Sequence, residues 1–163
     1  LKLTHISKPA PGGFAAVGMA AIVVAGLILL FSPERARAQE QQAALAAKRV
    51  IVDKTRQLLS AYEGERLVLE SRVSTGRRNS TPNGSYRVQG KQRMHYSRLY
   101  ENAPMPYSVQ VSGHYFIHGF SHVPNHAASH GCIRLPLSEG NPAREFYDWV
   151  EVGTPVEIIG RSR

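Results

Sequence analysis

Residues 49–74 read R-V-I-V-D-K-T-R-Q-L-L-S-A-Y-E-G-E-R-L-V-L-E-S-R-V-S, and this stretch decides the fold class. Arg49–Asp53 has the β-branched run of a strand. Gln57–Tyr62 and Arg66–Ser74 are two further strand-like runs, and Glu63-Gly64-Glu65 between them is a hairpin signal. The second run begins apolar and alternates later, as a strand does when it leaves a core for solvent.

Downstream the chain keeps this short-strand rhythm. Residues 76–84 form a loop containing the turn Thr81-Pro82-Asn83-Gly84, where proline presets φ and glycine accommodates the backbone beyond it. Tyr86-Arg87-Val88 resumes the sheet. Residues 91–106 mix polar and aromatic side chains around Pro104 and Pro106, and read as a long loop or irregular hairpin. Tyr107–Ser112 alternates again, and Tyr115–His118 is a short strand that delivers His118 at its end. Asn141-Pro142 looks like an N-cap followed by proline at the first helical position, with Phe146, Trp149 and Val150 on one face of a helix of about ten residues. Gly153-Thr154-Pro155 stops it, Val156–Ile159 makes a last strand, and 161–163 is a tail. No internal repeat is present. Many short strands with one or two short helices predict a mainly β domain, sandwich or barrel-like.

The first forty residues are a different material. Phe14–Phe31 carries no charge over eighteen positions and follows a short segment holding Lys2 and Lys8, which reads as a hydrophobic helix serving export. Its length suits a retained membrane anchor. Ala36-Arg37-Ala38 instead offers a signal peptidase a site before Gln39. Residues 1–38 are therefore assigned as signal peptide or anchor, 39–48 as a linker rich in helix formers, and 49–160 as the folded domain. At 163 residues in all, one domain with its own core is the expectation.

Charge narrows the partners. The chain carries +8; residues 1–38 hold four of its 20 basic and one of its 12 acidic residues, so the remainder is net +5. Such a surface would be drawn to an anionic polymer or membrane, and its plainer reading is a solvated basic surface. No Lys/Arg block with interleaved aromatics appears, so no nucleic-acid partner is expected.

The chemistry concentrates in Ile117–Leu135, I-H-G-F-S-H-V-P-N-H-A-A-S-H-G-C-I-R-L, which holds the only cysteine and four of the seven histidines. One cysteine makes no internal disulfide, and in an exported protein an unpaired thiol is a liability unless buried, shared with another chain or used. A working thiol needs an imidazole within hydrogen-bond reach and donors for a developing oxyanion. His118 and His130 are candidate bases, the Gly131-Cys132 turn can bring backbone N–H groups to a carbonyl, and Arg134 adds a cation. Such a thiol and imidazole would titrate as a couple between about pH 5 and 9. His114, His118, His122, His126 and His130 recur every fourth residue, the spacing of a zinc stripe on a helix. Gly113, Gly119, Pro124 and Gly131 interrupt that interval, so the helix fails and the stripe with it. Neither C-x-x-C nor H-E-x-x-H occurs, and no metal site is expected. His114, His122 and His126 are assigned to surface or loop hydrogen bonding.

With these residues in hand the sequence resembles a known family. His118-Gly119 followed by Ser129-His130-Gly131-Cys132-Ile133-Arg134 is similar to the active-site motif of the L,D-transpeptidases, the YkuD-like catalytic domain. Thr81-Pro82-Asn83-Gly84-Ser85-Tyr86 resembles that family's T-P-x-G-x-aromatic turn. The spacing from His118 to Ser129 is shorter than in many members, and Arg134 stands where others carry asparagine.

The resemblance implies a YkuD-type fold with Cys132 as nucleophile, His118 as proton acceptor and donor, and the Gly119 carbonyl holding the imidazole tautomer. Ser129, His130 and Gly131 would belong to the oxyanion pocket, and Arg134 would contact the acyl-donor stem. It further implies peptidoglycan stem peptides as partners, work in the periplasm or on the outer face of the cytoplasmic membrane, and no metal or organic cofactor. It also implies a cysteine thioester, formed with release of D-alanine, that goes on to a 3–3 crosslink, to attachment of a protein to the wall or, with water, to carboxypeptidation. Two other classes stand beside it: a non-catalytic wall-binding module with an inert thiol, and a zinc hydrolase using the histidine-rich loop.

Overall fold

The computed structural model describes residues 33–138 and 140–162, and the chain divides into two units after residue 42. The hydrophobic stretch Phe14–Phe31 lies outside the described residues. Among the described residues no helix is long and apolar enough to cross a membrane. Helix α1, Pro33–Ala46, covers most of the expected linker, with exposed side chains from Pro33 to Gln41. It opens on a proline, which suits a first helical turn where the N–H has no partner anyway.

The second unit is two sheets enclosing one core. Strands β1 (Lys48–Asp53), β2 (Leu58–Glu63), β3 (Arg66–Arg72), β4 (Gly84–Arg87) and β9 (Pro155–Ile159) form a five-stranded sheet in the order β3-β2-β1-β9-β4. Strands β5 (Gly90–Ser97), β6 (Ala103–Ser112), β7 (Tyr115–Phe120) and β8 (Ile133–Pro136) form the other, in sequence order. Most neighbours are antiparallel; β1 with β9 and β7 with β8 are parallel. The period of two is visible where one face is buried: β9 alternates exposed and buried, sending Val156 and Ile158 inward to meet Val50 and Val52 of β1. Helix α2 (Pro142–Trp149) packs on β3, β6, β7 and β8 and drives Phe146 into the core with no exposed surface. Asn141 caps it, its side chain accepting from the Arg144 N–H at 3.1 Å.

One expectation is narrowed and one strand is added. Of the two readings of residues 91–106, the hairpin holds and the long loop does not: they form the β5–β6 hairpin, in register from Gly90↔Gln110 to Ser97↔Ala103. Pro104 and Pro106 are tolerated because β6 pairs with β7 only from Val109 onward, so on that side their missing N–H groups face no partner strand. Strand β8, directly after the cysteine, lies in a run that periodicity leaves unassigned. It is four residues long and buried at three of them, too short to show alternation.

Candidate active site

The register of β7 and β8 assembles the site. Ile117 pairs with Ile133 and His118 with Arg134, so Cys132, one residue before β8, arrives beside the start of β7. The twelve residues 121–132 that connect the two strands contain no helix. They are held instead by the chain beyond β3. Ser74 exchanges backbone hydrogen bonds with Arg134 at 3.0 and 3.1 Å, Thr75 accepts from the Ser129 N–H at 3.0 Å, and the Ser129 carbonyl accepts from Arg77 N–H at 3.0 Å. The buried Ser74 hydroxyl also donates to the His126 carbonyl at 2.8 Å and accepts from the Ala128 N–H at 3.1 Å.

A cavity of about 640 Å³ opens above this junction. Of the seven residues singled out from the sequence, His118, Ser129, His130, Gly131, Cys132 and Arg134 line it, and Gly119 acts from behind. His118 is 5% exposed, and its Nδ1 lies 2.9 Å from the Gly119 carbonyl oxygen. A carbonyl only accepts, so Nδ1 carries the proton and Nε2 is left as the basic nitrogen. Burial pushes the imidazole pKa down to about 4 against the raising effect of the Gly119 bond, with Arg134 and His95 repelling the charged form as well. His118 is therefore neutral at pH 7.

The thiol is also neutral. Burial pushes the Cys132 pKa up, opposed by a backbone hydrogen bond at Phe116 and by the Arg134 cation. Its Sγ is 3.6 Å from the His114 carbonyl, and among the described residues no hydrogen bond joins it to His118. The direct thiol–imidazole bond expected from the sequence is thus absent; both groups face one cavity instead. Catalytic hydrogen bonds in unliganded sites are often loose. The expected titration of the couple between pH 5 and 9 is corrected too: desolvation moves the imidazole below that window and the thiol upward.

Around the sulfur the backbone is fixed tightly. The Ser129 hydroxyl donates to the Cys132 carbonyl at 2.5 Å and accepts from the Gly131 N–H at 3.0 Å. That consumes the Gly131 donor. Gly131 adopts φ +151°, and a Cβ there would meet the Tyr115 ring at 2.9 Å, so glycine is needed at this position for both reasons. His130 is exposed and its ring stacks on Tyr100 at 4.6 Å, roofing the cavity from the β5–β6 turn. The Arg134 guanidinium lies 4.0 Å over the Phe120 ring. His114, His122 and His126 are exposed. Among the described residues no three His, Cys, Asp or Glu side chains are grouped to hold a metal.

Sequence reasoning missed the opposite wall. His95 and Phe116 stack at 4.7 Å, and both line the cavity with Tyr100 and Met105. Most of these residues come from the hairpin read as irregular; a test of 90–97 for strand pairing against 103–110 would have found them.

Residues 47–158 match the family model YkuD, the L,D-transpeptidase catalytic domain. The chain belongs to this family. None of the curated proteins compared matches it. Among solved structures, this L,D-transpeptidase family member is similar to the L,D-transpeptidase (Yku) of Stackebrandtia nassauensis, at 25% identity over 71% of this chain and 57% of that one, TM-score 0.64. It is similar to the Xylanimonas cellulosilytica L,D-transpeptidase at 30% identity, over 70% and 61%, TM-score 0.60. It also shares its fold with the LD transpeptidase LdtMt1 in complex with imipenem, at 23% identity over 69% and 59%, TM-score 0.60. The chain thus spans about three-fifths of the length of these relatives. The mainly β architecture of two sheets with short helices is the fold of the L,D-transpeptidases.

Proposed function

We propose that this chain is a cysteine-dependent peptidoglycan L,D-transpeptidase acting outside the cytoplasmic membrane. The observation that carries this reading is the neutral His118, its Nδ1–H fixed on the Gly119 carbonyl and its Nε2 basic, in one cavity with the only cysteine. Because both groups are neutral at rest, the thiol proton moves as the sulfur attacks. Cys132 Sγ adds to the carbonyl joining the third stem residue to the terminal D-alanine, and His118 Nε2 takes the proton. The imidazolium then protonates the D-alanine nitrogen, the C–N bond breaks and a thioester remains. An amine on a neighbouring stem attacks that thioester, loses its proton to His118, and releases the sulfur to leave a 3–3 crosslink. A protein amine would give attachment to the wall, and water would give carboxypeptidation.

In this scheme Gly119 is the tautomer-fixing third member of a triad with a main-chain oxygen. Ser129 and Gly131 hold the turn that presents the Cys132 N–H to the oxyanion, and His130 roofs the acyl-donor site. Arg134 favours thiolate and faces the anionic stem. The Phe14–Phe31 segment would export or anchor the protein. No cofactor enters.

The test is incubation of the purified protein with a tetrapeptide-stem dimer and mass spectrometry of the products. Free D-alanine with a 3–3 dimer is expected, and Cys132→Ala should give neither while remaining folded. Turnover retained in Cys132→Ala would reject the scheme. The raised thiol pKa and the missing bond to His118 favour, as a second reading, a wall-binding module with an inert thiol. Binding to sacculi with no alkylation of Cys132 by iodoacetamide would support that reading instead.

A further inference from the structure

Among the described residues, Lys54 is the one fully buried charge that this chemistry does not use. It comes directly after β1, its side chain is 1% exposed, and among the described residues no carboxylate is paired with it. Its Nζ donates to the Asn79 Oδ1 at 2.6 Å and to the Thr81 carbonyl at 2.7 Å. An ammonium taken from water onto two neutral oxygens carries a large desolvation cost, and burial accordingly lowers its pKa. A methionine of similar length would avoid that cost but would leave both oxygens without their donor.

Those contacts lead to the cysteine turn. Thr81 is fully buried; its hydroxyl donates to the Gly131 carbonyl at 2.7 Å and accepts from the Gly76 N–H at 2.7 Å. Gly76 itself leaves no room: a Cβ there would fall 2.9 Å from the Gly131 Cα. The peptide joining Gly131 to Cys132 is planar and trans, so its C=O and N–H point in opposite directions. Pinning the Gly131 oxygen on Thr81 therefore aims the Cys132 N–H away from Thr81. Since the Gly131 N–H is already held by Ser129, the Cys132 N–H is the turn's available oxyanion donor.

We propose that Lys54 is a positioning residue for the oxyanion pocket, acting through Thr81 on the Gly131–Cys132 peptide. This rests on the acyl-transfer reading of Cys132. Lys54 touches neither substrate nor sulfur; it fixes the segment 79–81, and that segment fixes the peptide plane whose N–H receives the developing charge.

The experiment compares two reactions of Cys132 in the full chain. Imipenem acylation develops an oxyanion and needs the donor, whereas alkylation by iodoacetamide needs only the thiolate. Removing an oxyanion donor outright costs ~10²–10³ in rate, so loosening one is expected to cost on the order of tenfold. Lys54→Met and Thr81→Val should each slow acylation by about that factor while changing alkylation less than about twofold, and the double variant should lose little more than either alone. Thr81→Ser, which keeps the hydroxyl, should recover most of what Thr81→Val loses. If Lys54→Met does not fold, the two Thr81 variants decide. Acylation unchanged in the variants, or acylation and alkylation slowed equally, overturns the inference and leaves the acyl-transfer reading standing. Failure of imipenem to acylate the unsubstituted protein, with alkylation normal, overturns both.

Discussion

Acid is the most informative perturbation of this site, because the His118 pKa of about 4 affects both rate and stability. Against the ordinary 6.5 of a histidine, that value corresponds to roughly 3 kcal/mol of preference for the neutral ring, at ~1.4 kcal/mol per tenfold. At pH 6 an ordinary histidine is about three-quarters protonated, whereas His118 would be about 1% protonated. The base is therefore present throughout the mildly acid range. The acid limb of the imipenem acylation rate should fall with a midpoint near pH 4, read in buffers from pH 3.5 to 8 by the mass of the adduct. Stability moves over the same interval. Between the folded pKa and the unfolded one, the unfolded chain binds the extra proton, so stability is full above pH 6.5 and declines as pH falls toward 4. His118 alone should remove as much as roughly 3 kcal/mol across that interval. Urea unfolding at pH 7 and pH 4.5, for the unsubstituted protein and for His118→Leu, isolates this contribution by difference. An acid limb centred near 6.5, or equal pH dependence of stability in the two proteins, would refute the assignment of His118 as a buried neutral base.

Three further outcomes are expected from the packing and charge around that ring. In Gly119→Ala the new methyl carbon would sit 2.5 Å from Leu137 Cδ2 and 3.2 Å from Ala143 Cβ, so the Leu137 side chain must move and α2 must give way slightly. About 1–3 kcal/mol of stability should be lost in urea unfolding, with slower acylation because the carbonyl that holds His118 moves. Arg134→Met removes the cation that favours thiolate, and the alkylation rate of Cys132 at pH 8 should fall on the order of tenfold. Phe146→Ala empties a fully buried site between α2 and the sheets and should cost ~3–5 kcal/mol, seen as a lowered urea midpoint.

The first strands and helix α2 were legible because their signals are local: the β-branched run of β1, the Glu63-Gly64-Glu65 turn, and the Pro142 start of α2 all act within a few residues. The regularity of the β5–β6 hairpin was not legible, because its two prolines argue against a paired strand unless the neighbouring strand is known to stop short of them. The candidate site residues could be singled out from chemical type, a lone thiol among histidines beside glycines, and six of the seven line one cavity. Their electrostatics could not. Nothing in the sequence shows that the His118 ring is buried, and burial is what moves its pKa out of the range expected for a thiol–imidazole couple. Lys54 was equally silent, since a lysine after a strand ordinarily faces water.

The arrangement explains how a connection without a helix can hold the Cys132 sulfur in place. Parallel strands usually need a crossover of a dozen residues or more, most often helical, and 121–132 meets that length without the helix. Beyond the Ser129 hydroxyl, which ties down Gly131 and Cys132, rigidity comes from outside the connection. Ser74 bridges to Arg134 and Gly76 to Ser129, so the chain leaving β3 runs beside the cysteine turn on its inner side, with Thr81 and Lys54 behind it. The sulfur is thereby positioned by residues fifty or more places earlier in the chain, while the exposed stretch at His122, Asn125 and His126 only closes the path. Substitutions in the segment 74–81 should accordingly disturb the chemistry more than substitutions at those exposed positions, although the latter are closer to Cys132 in sequence.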